Sequence, residues 1–417
     1  MERVGVGIIG AGVRGVYCLG QAIVELYRET GLIVTALYDV LRQRSEEAQR
    51  YLEGLYKEAG ISGGLDGAIR IYENHDDLLN DQRCQIILIT NYTNRHRDAA
   101  VKALGMGKKV YLDKPIAVTL EDGEAIVKAS SANPLIMGFT RRYEKSWIKA
   151  KELLDSGVIG PLQLLQINSV IPYTRYLQTW HRKRALSGGT LNDKSSHHFD
   201  VFNWMTGEYP ARLTALGGRS SVFPVDPEAP KSCRVCSREC EYRRDPGRIS
   251  DGAFVLNFDS WKHADTEIDQ IDNCVYAPGA DINDHALVSI AYPSGVKASL
   301  FFAIFGPDTK DQETLTLVGE KGKIFVNRHE GTVQLFSDFG RKEELFDCRG
   351  EEFDTSHFGA DRDLIRTLKA FYDGASPVAS ALDGYISLEM VTAAQDSIQN
   401  SGRPVVFGKN RSFRFEQ

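Results

Sequence analysis

Between an apolar run of strand length, Val4 to Ile9, and the start of a helical pattern stands the turn Gly10-Ala-Gly12-Val-Arg-Gly15. Its three glycines constrain the chain strongly. The first permits a tight strand-to-helix bend, the second lets backbone approach a pyrophosphate, and the third lets the helix pack closely on the strand. The helix start presents N–H groups to an anion. A second apolar run, Ile33 to Tyr38, ends at Asp39, 24 positions after Gly15. That is where a dinucleotide-binding unit places the carboxylate that accepts from a ribose 2′-hydroxyl. The cofactor set read from this pattern is Gly10, Gly12, Val13, Arg14, Gly15 and Asp39, with Asn91, His96, Asp113 and Lys114 from later strand ends. Because Asp39 repels a 2′-phosphate, NAD is favoured over NADP, with Arg42 and Arg44 close enough in sequence to soften the preference.

Strand-like and helical runs alternate through the first third of the 417 residues, ending with an apolar run at Leu135 to Thr140. Alternation of this kind builds a doubly wound parallel sheet of the Rossmann type. The rest changes character. After a helix near Glu144 to Ser156 come many strands and few helices: Leu162 to Val170, Ala211 to Gly217, Ala253 to Phe258, Ala286 to Tyr292, Lys297 to Ile304, Glu313 to Val318, Lys323 to Val326 and Thr332 to Phe336. The expected fold class is therefore α/β plus α+β: a cofactor domain over 1–140, then a substrate-binding and oligomerisation domain over 141–417, with a Cys-rich insertion near 228–250. The second is built on a large, mostly antiparallel sheet. An open sheet needs cover on both faces, so a homodimer or homotetramer through it is expected.

Composition excludes several classes. A net charge of −6 with both signs interspersed leaves no basic footprint for nucleic acid. No stretch approaches the ~20 apolar residues of a membrane span, and the N-terminal apolar run is not preceded by a charged leader. With seven cysteines, an odd number, thiols or metal ligands are expected over a disulfide framework, and the location expected is cytoplasmic.

Two segments carry chemistry. Gly107-Lys-Lys-Val-Tyr-Leu-Asp113-Lys114-Pro115 puts a lysine just past a strand's carboxyl end, the edge where open α/β sheets bind ligands, and the proline invites a cis bond. Gly188-Gly-Thr-Leu-Asn-Asp193-Lys-Ser-Ser-His197-His198-Phe-Asp200 opens an expected amphipathic helix through Trp204, with Asp193, His197 and Asp200 on one face. An unperturbed histidine can take an alcohol proton at neutral pH, an ammonium stabilises alkoxide character, and a carboxylate orients the imidazole.

With these motifs, and with Met137-Gly-Phe-Thr-Arg-Arg142-Tyr143, Gly157-Val-Ile-Gly160 and Leu317-Val-Gly-Glu-Lys-Gly322, the chain resembles the glucose-fructose oxidoreductase / inositol dehydrogenase / MocA family over nearly its whole length. The family's usual Glu-Lys-Pro is Asp113-Lys114-Pro115 here, which shortens the acid and keeps the lysine in register. The resemblance implies a sugar or cyclitol dehydrogenase, with Lys114 contacting substrate and nicotinamide, His197 as general base and Asp193 as its partner.

Lys194 and His198 sit beside that pair, again four apart; Lys194 is assigned to the catalytic set and His198 to substrate binding. Arg142 and Tyr143 follow the last parallel strand, and Tyr173, Trp180 and His181 precede the double glycine; all five are assigned to substrate. Arg182-Lys-Arg184 reads as a solvated face, or as a recognition site for an anionic sugar such as a sulfosugar glycoside. Cys233, Cys236, Cys240 and Cys274 resemble a closed tetrahedral zinc site, against the plainer reading of packed thiols, while Cys18, Cys84 and Cys348 read as small buried hydrophobes.

Two other functions share these residues. Some members of the resembled family use NAD catalytically, oxidising a ring hydroxyl, eliminating the aglycone, adding water and reducing the product back; this would be a redox-neutral glycoside hydrolase. A non-catalytic dinucleotide-binding regulator would have no use for a matched acid and base.

Overall fold

The computed structural model describes residues 3–61, 67–244, 249–251, 254–256, 266–408 and 413–415. They fall into two units.

The first unit holds 3–143 and Gly359–Tyr385. Its strands are β1 (Val4–Ile9), β2 (Leu32–Tyr38), β3 (Arg70–Ile71), β4 (Ile86–Ile89), β5 (Lys109–Leu112) and β6 (Leu135–Met137). They pair in the order β3-β2-β1-β4-β5-β6, all parallel. Residues of β1, β2 and β4 are buried throughout, apart from Tyr38, as expected of strands covered on both faces by helices. The strand order reverses between β1 and β4, so the carboxyl ends of these strands form the crevice in which such sheets bind ligands. The helix expected over Arg14 to Glu29 is broken into a π-type turn at Val13–Gly20 and short α-helices at Gln21–Glu25 and Tyr27–Thr30. Leu26, at φ −95° and ψ 9°, is the interruption. A helix not anticipated from the sequence, Ala360–Tyr372, buries Leu364, Ile365, Leu368 and Phe371 in the core with Ile8, Leu19 and Leu37.

The second unit draws on Glu144–Asn257, Trp261–Phe358 and Ile386–Gln417. Its strands are β7 (Leu162–Val170), β8 (Arg212–Gly218), β9 (Ile249–Asp251), β10 (Phe254–Leu256), β11 (His285–Ala291), β12 (Lys297–Ala303), β13 (Glu313–Gly319), β14 (Lys323–Asn327), β15 (Thr332–Ser337), β16 (Lys342–Asp347), β17 (Val405–Phe407) and β18 (Phe413–Phe415). Ten of them form one sheet, β16-β15-β14-β13-β7-β12-β11-β8-β17-β18, while β9 and β10 pair alone. Only β7 with β12 is parallel among the ladders of the ten-stranded sheet. The expected strand over Ala253 to Phe258 is described at 254–256, and its remaining positions lie outside the described residues. Strand β16 escaped the sequence reading because it is mostly charged, and β17 and β18 because three residues each are too short to show a period.

One face of the sheet meets the helices, with Leu165, Ile167, Leu300, Leu315 and Leu317 packed on Trp147, Phe199 and Phe202. The other carries a cross-strand row, Leu216 opposite Leu287 and Leu287 opposite Phe301, at 55%, 48% and 48% exposure. No helix of the described residues is long and apolar enough to cross a membrane.

Candidate functional site

In the first unit the carboxyl ends of β1, β2, β4 and β5 lead directly into Gly10–Gly15, Asp39, Asn91 and Asp113–Lys114. Gly10 has φ +100°, and a Cβ there would lie 2.5 Å from the Asn91 nitrogen, so only glycine makes this turn. A Cβ on Gly12 would meet nothing within 4 Å. The open face of the turn is therefore at the glycine where a pyrophosphate must come close, and Val13 begins the helical turn whose first N–H groups have no partner within a helix. Asn91 Oδ1 is buried with no hydrogen-bond partner among the described residues, an acceptor waiting for a donor. These features fit a dinucleotide.

Asp39 Oδ2 accepts from Ala11 N at 2.9 Å, and Oδ1 accepts from Leu41 N at 3.0 Å and from Arg44 at 3.2 Å. A carboxylate offers about four lone-pair sites, so these three donors leave about one. Arg42 pairs with Glu46 at 2.9 Å and with Glu73.

Several residues assigned to the cofactor brace the crevice. Arg14 donates to Tyr111 Oη at 2.9 Å and to Asp113 at 3.4 Å, and pairs with Asp361 of the returning helix. Burial alone would lower the Arg14 pKa, but Asp361, Tyr111 and Asp113 outweigh it and hold the guanidinium charged. Asp113 also accepts from Tyr111 Oη at 2.9 Å. His96, buried, sets Nδ1 2.9 Å from the Pro115 carbonyl and Nε2 3.2 Å from the Asn91 carbonyl, and burial pushes its pKa down. It ties the Asn91 loop to the turn carrying Lys114, whose peptide bond to Pro115 is cis. Arg142, assigned to substrate, donates to the Val378 carbonyl at 2.8 Å and to Asp383 at 2.9 Å, and Tyr143 is buried in the first unit's core.

In the second unit the helix expected from Gly188 to Trp204 is two helices, Thr190–Asp193 and Ser195–Thr206, joined at Lys194. It is not amphipathic: every residue from 190 to 202 is buried, so its polar side chains there are enclosed by protein. Asp193 Oδ2 accepts from Tyr176 Oη at 2.5 Å, and its Oδ1 lies 3.7 Å from His181 Nε2. Burial, then Asp193, pushes the Tyr176 phenol well above its ordinary range. His181 stacks on Trp180 with ring centroids 4.0 Å apart. His197 follows Asp193 by one helical turn and is 5% exposed.

Lys194 and His198 point to a residue that sequence reasoning missed. Lys194 Nζ donates to Glu313 at 3.1 Å, and His198 Nε2 lies 3.6 Å from the other oxygen. Arg328 approaches Glu313 at 3.7 Å and grips Glu144 with two bonds of 2.8 Å. Despite burial, Glu144 and Glu313 raise the Arg328 pKa. His198 and Glu313 are 0% exposed, so His198, assigned to substrate, is a core residue. The Lys194 ammonium also sits 5.1 Å from the Tyr173 ring centroid. Burial would raise the Tyr173 phenol, but Lys194, Arg175 and Arg328 together hold it below its ordinary value. A signal for Glu313 was present. In β13 it is in phase with Leu315 and Leu317, on the buried face, and a carboxylate there needs partners.

The basic run before the double glycine is consumed by structure. Arg182 is buried and donates to the carbonyls of Ala277 and Pro278 at 3.1 and 3.2 Å. Lys183 pairs with Glu267 at 3.1 Å, and Arg184 donates to Gln395 at 2.5 Å. Neither a solvated face nor an anion site describes Arg182.

All seven cysteines are free thiols; Cys18 and Cys84 are buried as expected, Cys348 only partly. A bridge between Ser232 and Asn273 brings the chains at Cys233 and Cys274 side by side, and Cys236 N closes a turn on the Cys233 carbonyl at 3.2 Å. The four donors are chemically suited to zinc, yet no three of their sulfurs converge within 4.8 Å.

Comparison with known proteins places a boundary near the end of β6, with 359–385 counted in the C-terminal profile rather than with the first unit. The profile described as "Oxidoreductase family, NAD-binding Rossmann fold" matches residues 4–139, and "Oxidoreductase family, C-terminal alpha/beta domain" matches 151–407. The scyllo-inositol 2-dehydrogenase (NAD(+)) of Bacillus subtilis is 22% identical over 417 residues, 99% of this chain and 98% of that protein. The myo-inositol 2-dehydrogenase of Thermotoga maritima is 25% identical over 337 residues, covering 80% and 83%. Among solved structures, levoglucosan dehydrogenase in complex with NADH and levoglucosan superposes with a TM-score of 0.70 at 15% identity, over 99% of each chain. With family profiles covering both units, the chain belongs to the glucose-fructose oxidoreductase / inositol dehydrogenase / MocA family of NAD-binding oxidoreductases.

Proposed function

We propose that this enzyme is an NAD-dependent dehydrogenase acting on a ring hydroxyl of a sugar, glycoside or cyclitol. The observation that carries the reading is the pair Asp193 and His197, one helical turn apart and held in a buried polar cluster, in a chain whose other unit presents the open Gly12 turn and Asp39. The names of its relatives, inositol and levoglucosan dehydrogenases, point the same way.

When bound, NAD supplies the hydride acceptor for the substrate carbon. The backbone at Gly12 takes the pyrophosphate, and the lone pair left on Asp39 takes a ribose hydroxyl. His197 accepts the hydroxyl proton as general base. Lys114 stabilises the alkoxide character that develops as that proton leaves. Asp193, fixed by Tyr176 and four positions before His197, is assigned to orient the imidazole and balance its charge. Lys194, anchored by Glu313, contributes a fixed positive charge and is not the base.

The decisive experiment is proton NMR in heavy water with stoichiometric NAD, following NADH fluorescence, on a panel of glycosides, free sugars and inositols. A ketone accompanied by NADH supports the dehydrogenase, and no turnover on any member would sink it. Free sugar without net NADH supports the second reading, a redox-neutral glycoside hydrolase, for which His181, 3.7 Å from Asp193, supplies a second imidazole beside that carboxylate.

The exposed row of Leu216, Leu287 and Phe301 supports a homo-oligomer joined through the large sheet. A structural zinc on Cys233, Cys236, Cys240 and Cys274 rests on donor chemistry alone and is decided by metal analysis of the purified protein. A cytoplasmic location completes the reading.

A further inference from the structure

We propose that Tyr173 is a further catalytic residue, a phenol that donates a hydrogen bond to the substrate oxygen on which negative charge gathers as the ring hydroxyl is oxidised. The proposal rests on the ring-hydroxyl oxidation above and adds to it a residue that acts mainly in the transition state.

Tyr173 comes just after β7, next to the bridge of Pro172 with Phe305. Its backbone is committed: the N–H donates to the Ile304 carbonyl at 2.9 Å, and its carbonyl accepts from Tyr176 N at 3.1 Å. Its ring is held by cations. The Arg175 guanidinium carbon lies 4.3 Å from the ring centroid and the Lys194 ammonium 5.1 Å from it. The Tyr176 ring, whose phenol holds Asp193, is 6.0 Å away, so Tyr173 belongs to the cluster around the joint of the two polar helices. Its hydroxyl is the part left over. Among the described residues Tyr173 Oη takes part in no hydrogen bond, and it is not one of the enclosed polar atoms. A phenol carries one donor and acceptor sites besides, all of them open to a substrate here. Tyr111 and Tyr176 differ in this respect, since each spends its proton on a carboxylate, Asp113 and Asp193.

The charges around the ring suit a donor. Burial would make the phenol a weaker acid, but Lys194, Arg175 and Arg328 outweigh burial and the opposing Glu313, so its proton is held less tightly than an ordinary phenol's. A more acidic donor gives a stronger hydrogen bond to an alkoxide. The buried Lys194 thereby gains a use: anchored by Glu313, it acts on the reaction through the Tyr173 ring. The balance of the oxidation is unchanged. The hydroxyl proton goes to His197, the hydride leaves carbon, and between these events the oxygen carries charge that the Tyr173 O–H stabilises without giving up its proton.

The test is Tyr173→Phe in the full-length enzyme, assayed across pH on the panel sugar or inositol with the highest turnover, with NAD affinity titrated alongside. Removing one donor to an oxyanion costs about 10²–10³-fold in kcat. The expected result is a loss in this range with KM and NAD affinity little changed. Only the neutral phenol donates, so the advantage of wild type over variant should vanish as pH rises through the Tyr173 pKa, below the ordinary phenol value of about 10. Tyrosinate absorbance, wild type minus variant, reads the same ionisation without turnover, and Lys194→Met should move it to higher pH. A raised KM with kcat unchanged would reduce Tyr173 to a binding contact. An advantage that grows with pH would make the phenolate a base and overturn the donor role. A difference spectrum indifferent to Lys194→Met would remove the part given to that ammonium. Each of these leaves ring oxidation standing, whereas absence of turnover on every panel member would remove ring oxidation and this role with it.

Discussion

The cofactor turn of the first unit and the helix pair Thr190–Asp193 and Ser195–Thr206 of the second are both dense in polar groups, but they are built from different materials. The turn works through backbone: Gly10 at positive φ, Gly12 facing open space, and helix N–H groups, with the charged groups around it tied together, Arg14 pairing with both Asp113 and Asp361. The helix pair works through side chains, which are buried and find partners on distant strands. Glu313 reaches Lys194 across 119 positions of sequence. Backbone geometry tolerates many side-chain changes, so the first region is defended at a few glycines. A buried charge network is as sensitive as its least replaceable member.

Breaking the chemistry should have the largest effect. His197→Ala or Lys114→Ala should lower turnover by about 10²–10⁴-fold while NAD binding stays near normal, as read from steady-state kinetics and cofactor titration. Full turnover in either variant would remove the proposed roles. Next in size is the network itself. Glu313→Leu takes the carboxylate from the buried Lys194 ammonium and leaves Arg328 with Glu144 alone, and should cost about 3–5 kcal/mol by denaturant unfolding. Adding Lys194→Met should recover part of that loss; a double variant no better than the single would mean that Lys194 is not the main creditor of Glu313's charge.

The comparison is sharpened in the first unit by Asp39→Ala. The ribose loses an acceptor, and the carboxylate that would repel a 2′-phosphate is removed from beside Arg44. The NAD to NADP preference should fall about 10–100-fold, the worth of a hydrogen bond to a charged group. Unchanged selectivity would mean that Asp39 serves only to brace Ala11 and Leu41. The smallest effect on the isolated chain is expected at the open face of the large sheet. Leu287→Glu with Phe301→Glu should shift the mass by light scattering from oligomer to monomer with little change in unfolding midpoint. A monomeric wild type would dispose of the interface.

What was legible in the sequence follows the same division. The parallel unit was readable because its strands are continuous apolar runs bounded by turn residues, and because the glycine turn has one backbone solution. The Asp113-Lys114-Pro115 turn was placed correctly past β5 for the same reason. Legibility failed where a residue's role depends on a partner far along the chain. That Arg14 is held by Asp361, 347 positions away, could not be read locally. His198 looked like a substrate contact and packs against Glu313 and Phe302. The bonds of Asp193 to Tyr176 and its approach to His181 were likewise not readable from spacing.

By itself, then, the sequence determined the class of fold, the position of the dinucleotide turn and the residue types available for acid and base work. Those depend on period, φ/ψ preference and chemistry that each short segment carries within it. Only the tertiary structure decided which of the buried charges pair with one another. Coulomb and hydrogen-bond energies are set by distances of a few ångströms between groups that the chain brings together from opposite ends, and nothing in local spacing encodes that separation.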